Sequence, residues 1–423
     1  MRIFLSEGNM NPGVVNALAW NFRKYGHEVH GAPATDYMKR IGCKEAQACN
    51  YDSENDLFVG VHLDSALRLR NDKMRKAGYR VIGASKFFAE AEKAKNFGQH
   101  LLKELGYKLP ETYEFGNVDT AIEFVKDKKR PFVVKVDDSS DPMGVIIPKD
   151  WRDTIWILQN ERTIQQKRIV LQELLHGTEV GFGGFFNGET VDLMAITFEH
   201  KRVFAGDQGP NCAEMGTSFL PVELVEKEKL ADLIFGPLYP VLQHTQYRGF
   251  IDLNGMITGD IEWKVLEFTC RFGSPQTEIM IWYIEDDLAE YLWKVANGEK
   301  AELKIRSDLY FVGVTKVCAG YPYPDACRIG SPVYGNIEWI YVIPMSVKYD
   351  QENGFYRTAG GRIATFTGLG YSMEDAVSDA YGKASMVDFL DSYMRLDIGA
   401  YGWNKKRNDV IQWLGCYDML REI

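Results

Sequence analysis

Residues 264–273 read Lys264-Val265-Leu266-Glu267-Phe268-Thr269-Cys270-Arg271-Phe272-Gly273. Trp263 to Phe268 reads as a strand, and side chains repeat every two residues along a strand, so Glu267 and Thr269 face the same way. A hard cation such as Mg²⁺ takes oxygen ligands and is typically held by one or two carboxylates plus substrate phosphates. The preceding strand, Gly249-Phe250-Ile251-Asp252-Leu253-Asn254, adds Asp252. Asp252 reads either as a further ligand or as a hydrogen-bonded strand residue.

Cations belong to the same chemistry. Pro131-Phe132-Val133-Val134-Lys135 ends an apolar strand on a lysine. Burying an ammonium group without partners is costly, so Lys135 reads as the partner of an anion such as a nucleotide phosphate, or as a strand-end lysine that snorkels to water. Lys95 lies about forty residues earlier, on one long helix read from Ser85 to Leu105 and ended by Gly106. Ile169-Val170-Leu171-Gln172-Glu173-Leu174-Leu175 runs into the turn His176-Gly177-Thr178-Glu179. A strand entering a turn offers backbone N–H and C=O to an adenine edge, and Glu179, four residues on, can accept ribose hydroxyls.

The chain of 423 residues suits two to four domains. Its hydrophobic content of 45% and charged content of 26% are those of globular proteins. A net charge of −10 disfavours a large duplex nucleic-acid footprint. No apolar run is long enough to span a bilayer, and the start, MRIFLSEGN, reads as a buried first strand, not a signal peptide. Seven scattered cysteines without a CxxC pair argue against a zinc site or a disulfide framework and fit a reducing cytoplasm.

Strands at 2–5, 27–30, 57–61 and 79–82, with helices at 14–22 and 64–76, predict a parallel α/β layer whose first loop, Glu7 to Gly13, lies on the ligand side. Strands at 179–186, 191–198, 250–257 and 263–268 follow, interrupted by a helix near 224–244. Antiparallel strands at 309–317, 337–347 and 362–367 precede a helix opened by Ser372, with Asp375 three residues on. The tail with Trp403, Val410, Trp413 and Leu414 reads as a packed helix.

Further segments fall between these in order: Glu199-His200-Lys201-Arg202, Gly206-Asp207-Gln208-Gly209-Pro210-Asn211, Met215-Gly216, Arg271-Phe272-Gly273-Ser274-Pro275, Gly360-Gly361-Arg362 and Arg395-Leu396-Asp397-Ile398-Gly399. The series resembles the ATP-grasp superfamily, and within it the phosphoribosylamine–glycine ligase family of purine synthesis. That family has a DHKR-like tetrad, then GD-x-GPN-TGGMG, RFGDPE, GGR and R-x-DIG. The resemblance runs from about Gly78 to Glu278 and more faintly through both flanks.

It implies an α/β and α+β multidomain fold: an N-terminal parallel α/β (pre-ATP-grasp) domain over 1–88, an ATP-grasp domain over 89–300 with its lid subdomain at about 112–175, a small α+β C-terminal domain over 301–400, and a helical tail over 401–423. It implies ATP and Mg²⁺ (or Mn²⁺) as cofactors. Lys95 and Lys135 would hold the α- and β-phosphates, Gln172 the adenine amino group, Leu175 the ring through its backbone, and Glu179 the ribose. Glu267, with Thr269 and Asp252, would hold the metal. Arg271, Lys135 and His200 would act in catalysis, with Arg271 on the transferring phosphoryl group or acyl phosphate. Asn11, His200, Lys201, Asp207, Asn211, Glu214, Arg271 and Gly273 would line the substrate site. The partners implied are small molecules, a carboxylate and an amine, for a cytoplasmic monomer or homodimer.

The chain departs from the family at four places. The glycine-rich lid, DGLAAGKGV-like in the family, is Asp137-Asp138-Ser139-Ser140-Asp141-Pro142-Met143-Gly144-Val145. A lid of backbone N–H groups works best with glycine, so either Ser139 and Ser140 serve as donors or ATP turnover is weakened. Thr269 replaces a ligand asparagine. The phosphoribosylamine motifs GxGGREHA and GPEAPL are rewritten as Gly8 to Ala17 and Gly60 to Ser65. Glu214, Ser274 and Gln276 alter the TGGMG and RFGDPE motifs. The leading expectation is an ADP-forming carboxylate–amine ligase, working through an acyl phosphate on an amino acid and an amine other than phosphoribosylamine. The alternatives are phosphoribosylamine–glycine ligase itself and a non-catalytic nucleotide-binding protein.

Overall fold

Arg2–Ser6 (β1) is buried on both faces. Ile3 and Leu5 enter the main core, and Phe4 stacks on Phe58 on the other side, ring centroids 5.1 Å apart. A strand apolar on both faces belongs inside a parallel sheet. β1 pairs in parallel with Glu28–Ala32 (β2) and Asp56–Gly60 (β4), and Lys44–Glu45 (β3) and Arg80–Ile82 (β5) complete the order β3-β2-β1-β4-β5. Pro12–Lys24 (α1), Asp36–Arg40 (α2) and Ser65–Lys76 (α3) connect the strands. α1 opens on Pro12, whose missing N–H is unneeded in a first turn, and buries Val14, Val15, Leu18, Ala19 and Phe22. The computed structural model describes residues 1–6, 12–46, 51–61, 65–136, 144–161, 169–306 and 308–420. Asn11 and most of the lid, residues 137–143, lie outside them, as does His62.

The long helix expected from Ser85 to Leu105 is two helices, Lys86–Lys93 (α4) and Lys95–Glu104 (α5), with Ala94 extended between them. α5 turns back onto α4 so closely that a Cβ at Gly98 would lie 2.6 Å from the Ala91 carbonyl oxygen. Lys95 therefore starts a helix instead of lying within one.

Thr112–Phe115 (β6), Val118–Lys128 (α6), Phe132–Val136 (β7), Val145–Ile146 (β8), Trp151–Asn160 (α7) and Ile169–Glu173 (β9) build a separate unit. Its antiparallel sheet runs β6-β9-β7-β8, and a core of its own holds Phe132, Val134, Leu158 and Leu171.

The large antiparallel sheet takes Gly177–Phe186 (β10) and Val191–Glu199 (β11). After the small hairpin Arg202–Phe204 (β12) and Gln208–Asn211 (β13), it takes Gly216–Leu220 (β14). Lys227–Phe235 (α8) and Tyr239–His244 (α9) replace the single helix expected near 224–244. Pro237 and Pro240 remove two backbone donors there, and a 3₁₀ turn at 236–238 takes up the break. Gly249–Thr258 (β15), Trp263–Thr269 (β16), Gln276–Tyr283 (α10) and Leu288–Asn297 (α11) follow.

Tyr310–Cys318 (β17) re-enters the same sheet. Of the strand expected over 337–347 the large sheet takes only Val342–Pro344 (β18), because Tyr341 adopts a positive φ of 68° and the chain turns there. Val347–Asp350 (β19) and Phe355–Thr358 (β20) form a hairpin before Arg362–Gly370 (β21). The sheet order is β16-β15-β10-β11-β14-β17-β21-β18, so strands on both sides of residue 300 share one sheet. Ser372 caps Met373–Ser385 (α12) by accepting the Asp375 N–H. Trp403–Gly415 (α13) packs Trp413 on Phe182, ring centroids 5.6 Å apart. Among the described residues no helix is long and apolar enough to cross a membrane.

Candidate functional site

One face of the large sheet is polar. Register sets Asp252 opposite Thr269 and Asn254 opposite Glu267 between β15 and β16. On β10, Glu179, Gly181 and Gly183 share that face, with Gly183 opposite Asp252 and Gly181 opposite Asn254. The glycines make room: a Cβ at Gly183 would lie 2.8 Å from Asp252 Oδ2, and one at Gly181 2.7 Å from Asn254 Oδ1. Asp252 is buried and accepts Asn254 Nδ2 at 3.0 Å and Gln276 Nε2 at 3.1 Å.

Lys201, just beyond β11, gathers the carboxylates. Its Nζ lies 2.7 Å from Glu179 Oε1, 2.9 Å from Glu199 Oε2 and 3.5 Å from Glu267 Oε1. Burial works against its charge, and Glu179, Glu199 and Glu267 overcome this to hold Lys201 well above the usual lysine value. Lost hydration in the cleft works to raise the half-exposed Glu267 carboxyl, but Lys201, Lys95 and Lys135 reverse it, down to about 2. Burial and the Glu199 charge instead lift Asp252 to about 7.

Lys135, at the end of β7, faces this cluster from the smaller sheet. Burial pulls it down to about 8; Glu267 opposes that, while Lys95 and Lys201 add to it. A phosphate placed beside Lys135 favours the charged form, so binding there takes up a proton wherever the free amine is partly deprotonated. ATP affinity is therefore expected to fall as pH rises above about 8, by up to roughly a decade per unit. Calorimetry in two buffers of different ionisation enthalpy checks this: proton uptake should appear on the alkaline side and vanish near neutrality.

Arg271 is held from behind. Its Nε lies 3.0 Å from Glu92 Oε1, while Glu92 Oε2 accepts the Cys270 N–H at 2.7 Å. Glu92, on α4, orients Arg271 and was not among the residues singled out from sequence. An acid 179 positions from its arginine leaves no local pattern to read.

The other expected residues make contacts of their own, and Glu214 bears electrostatically on Glu199 and Lys201 of this cluster. Gln172 is buried and donates to Thr112 Oγ1 at 3.2 Å, and Leu175 is half-buried just past β9. His200 is buried among Lys406, Arg395 and Asp397, and burial with the two cations holds it neutral, well below the usual histidine value. Asp207 lies 2.9 Å from Arg395, which also grips Asp397 at 2.8 Å. Asn211 Nδ2 donates to the Val145 carbonyl at 2.9 Å, tying β13 to β8. Glu214 is buried with a φ of 74° and accepts the Thr217 hydroxyl. The Gly273 carbonyl accepts the Thr277 hydroxyl at 2.6 Å at the start of α10. Arg362 donates to the Ala213 carbonyl at 2.8 Å and the Ser274 hydroxyl at 3.2 Å, which puts the Gly360-Gly361-Arg362 element at the site's edge.

The donor chemistry fits a nucleotide triphosphate with a hard cation. Lys95 and Lys135 offer positive charge to phosphates, and the half-exposed Glu267, 46% accessible, stays ionised beside Thr269 and Asp252. Among the described residues no three His, Cys, Asp or Glu side chains form a closed cage. One ionised carboxylate with a second beside it suits Mg²⁺, which keeps one or two protein carboxylates and completes its shell with phosphate and water.

A family model described as the phosphoribosylglycinamide synthetase ATP-grasp (A) domain matches residues 93–277, and one described as the C domain of the same synthetase matches 313–401. A phosphoribosylamine–glycine ligase from Streptococcus suis is 27% identical over 398 residues, 88% of this chain and 93% of its own. The crystal structure of phosphoribosylamine–glycine ligase from Thermotoga maritima matches with a TM-score of 0.77 at 24% identity, covering 94% of this chain and 100% of the other. The biotin carboxylase domain of Hydrogenobacter thermophilus 2-oxoglutarate carboxylase, in complex with MgADP and bicarbonate, shares the fold with a TM-score of 0.66 at 10% identity over 99% and 97% of the two chains.

Proposed function

The chain belongs to the phosphoribosylglycinamide synthetase family of ATP-grasp ligases, C–N ligases that use ATP with Mg²⁺ and release ADP, and we propose that it joins an amino-acid carboxylate to an amine through an acyl phosphate. The observation that carries this reading is the meeting of Lys95, Lys135 and Lys201 with Glu267 across the two sheets.

A carboxylate oxygen attacks the γ-phosphorus of ATP, the bond from that phosphorus to the ADP oxygen breaks, and an acyl phosphate forms. The amine nitrogen then attacks the carbonyl carbon, phosphate leaves and the amine gives up a proton. Such transfer is catalysed mainly by positioning and by cations around the phosphoryl oxygens. Lys95 and Lys135 bind the phosphates, and Arg271, fixed by Glu92, faces the transferring group. Glu267, with Asp252 and Thr269 beside it, would hold Mg²⁺, which would supply positive charge to the phosphates.

The names of the relatives favour glycine as the carboxylate and phosphoribosylamine as the amine. A different amine is a second reading, favoured by the acidic side chains Glu214 and Glu278 at the substrate end. The test is ADP release from Mg·ATP with glycine and other amino acids, with phosphoribosylamine generated in place and with a panel of other amines. Hydroxylamine should trap the acyl phosphate as a hydroxamate. Absence of both ADP and hydroxamate in every mixture would sink the ligase reading.

A further inference from the structure

Lys201 stands on the two carboxylates that the ligase reading gives to the nucleotide. Its Nζ lies 2.7 Å from Glu179, on the ribose side, and 3.5 Å from Glu267, on the metal side. A third carboxylate, Glu199, lies 2.9 Å away, and the phosphoryl transfer leaves it without a part. The three differ in access. Side-chain exposure is 46% for Glu267 and 29% for Glu179, but 10% for Glu199, so a ligand in the cleft meets the first two and not the third.

The backbones around this cluster are fixed. Glu179 pairs with Met256 across β10 and β15, Glu267 with Asn254 across β15 and β16, and Glu199 with Thr217 across β11 and β14. The Lys201 carbonyl accepts the Cys212 N–H at 2.8 Å, and the His200 carbonyl accepts the Met215 N–H at 2.9 Å. What is free to swing is the lysine stem, which carries a compact point charge with no planar geometry to satisfy.

A dication at Glu267 meets like charge in the Lys201 ammonium, and a ribose hydroxyl at Glu179 must displace the same group. One ammonium on both carboxylates therefore couples the two events, and such coupling is reciprocal. Freeing both at once needs another anion for Lys201. Glu199 is two residues away on an extended chain, so it shares a side with Lys201 and is reached without crossing the cleft. Burial lifts the Glu199 carboxyl and Lys201 opposes this, so an ammonium given wholly to Glu199 favours its charged form.

We propose that Lys201 competes with the metal–nucleotide for Glu267 and Glu179, and that Glu199 is the positioning residue that takes Lys201 when both let go, so that metal enters with nucleotide and not before it. The inference rests on the ligase reading and gives its nucleotide site an order of binding.

The test titrates Mn²⁺, followed by electron paramagnetic resonance, into the full-length protein with and without ADP. Without ADP, Lys201→Met should bind Mn²⁺ at least about tenfold tighter than the unaltered protein. Lys201→Arg, which keeps the charge, should bind it as weakly as the unaltered protein does. A lysine with only a structural role would not tighten metal binding when removed. Glu199→Gln should weaken Mn·ADP binding by about tenfold and leave Mn²⁺ alone no tighter, because Lys201 then stays on Glu179 and Glu267. Melting curves check that each variant folds, and Lys201→Gln carries the same expectation as Lys201→Met. Equal Mn²⁺ affinity of the unaltered protein and the uncharged variants without ADP would overturn the competition. Unchanged Mn·ADP binding in Glu199→Gln would overturn the part given to Glu199. Absence of Mn²⁺ binding to the unaltered protein even with ADP would instead fell the nucleotide site itself, an outcome distinct from a wrong order of binding.

Discussion

Glu267→Gln is expected to lower Mg²⁺-dependent turnover on the order of 10³-fold while leaving the fold intact. Lys201, Lys95 and Lys135 keep the Glu267 carboxyl ionised down to about 2, so it is a full negative charge at any working pH. Glutamine keeps the shape and one oxygen but removes that charge from the proposed metal site. The loss falls on the step in which charge moves between phosphate oxygens, where fixed electrostatics matter most. The scaffold should tolerate the change, because Lys201 retains Glu179 at 2.7 Å and Glu199 at 2.9 Å, and Glu267 is half-exposed. Steady-state ADP release titrated with Mg²⁺, alongside a melting curve, checks both halves. Turnover within a few-fold of the unaltered protein would remove Glu267 from the metal site.

Lys135→Ala is expected to abolish most of the stabilisation that ATP confers. Ligand at about 100 times its Kd stabilises a protein by about 2.7 kcal/mol; if affinity falls a hundredfold, the same concentration gives only about 0.4 kcal/mol. Lys135 faces the carboxylate cluster from β7, on a separate sheet with a core of its own, so a phosphate held in the gap between the two sheets would meet it. Its free ammonium group is already disfavoured by burial, and truncation should therefore cost the nucleotide-free protein little. The measurement is the shift in melting temperature with and without Mg·ATP. An unchanged shift would place the nucleotide elsewhere.

Much of this was legible because it is local. The period of two along 263–269 places Glu267 and Thr269 on one face whatever surrounds them, and β16 forms there. Lys135 could be read for a similar reason: an apolar strand that ends on a lysine asks for an anion or for water. Gly181 and Gly183 were readable in principle, since glycine inside a strand marks a close approach. Breaks in regular structure were harder. Nothing in the composition from Ser85 to Leu105 announces that Ala94 is extended, because the cause is the packing of α5 back onto α4.

The roles of Lys201 and Glu92 depend on partners far away in the chain. Lys201 was expected to touch substrate, yet it holds Glu179, Glu199 and Glu267 together, on strands three places apart in the sheet order. His200, beside it in sequence, turns to Arg395 and Asp397 because neighbours on an extended chain point to opposite sides. Sequence alone determined the order of the parts and the ATP-grasp family, and it singled out the residue types suited to phosphate and metal, since strand period and motif spacing are properties of short segments. Only the tertiary structure decided which charges stand together: the register between β10, β11, β15 and β16 brought the carboxylates onto one face, and the packing of α1 on α10 put Glu278 against Gly13. Both depend on contacts between segments separated by tens to hundreds of residues, which no local pattern encodes.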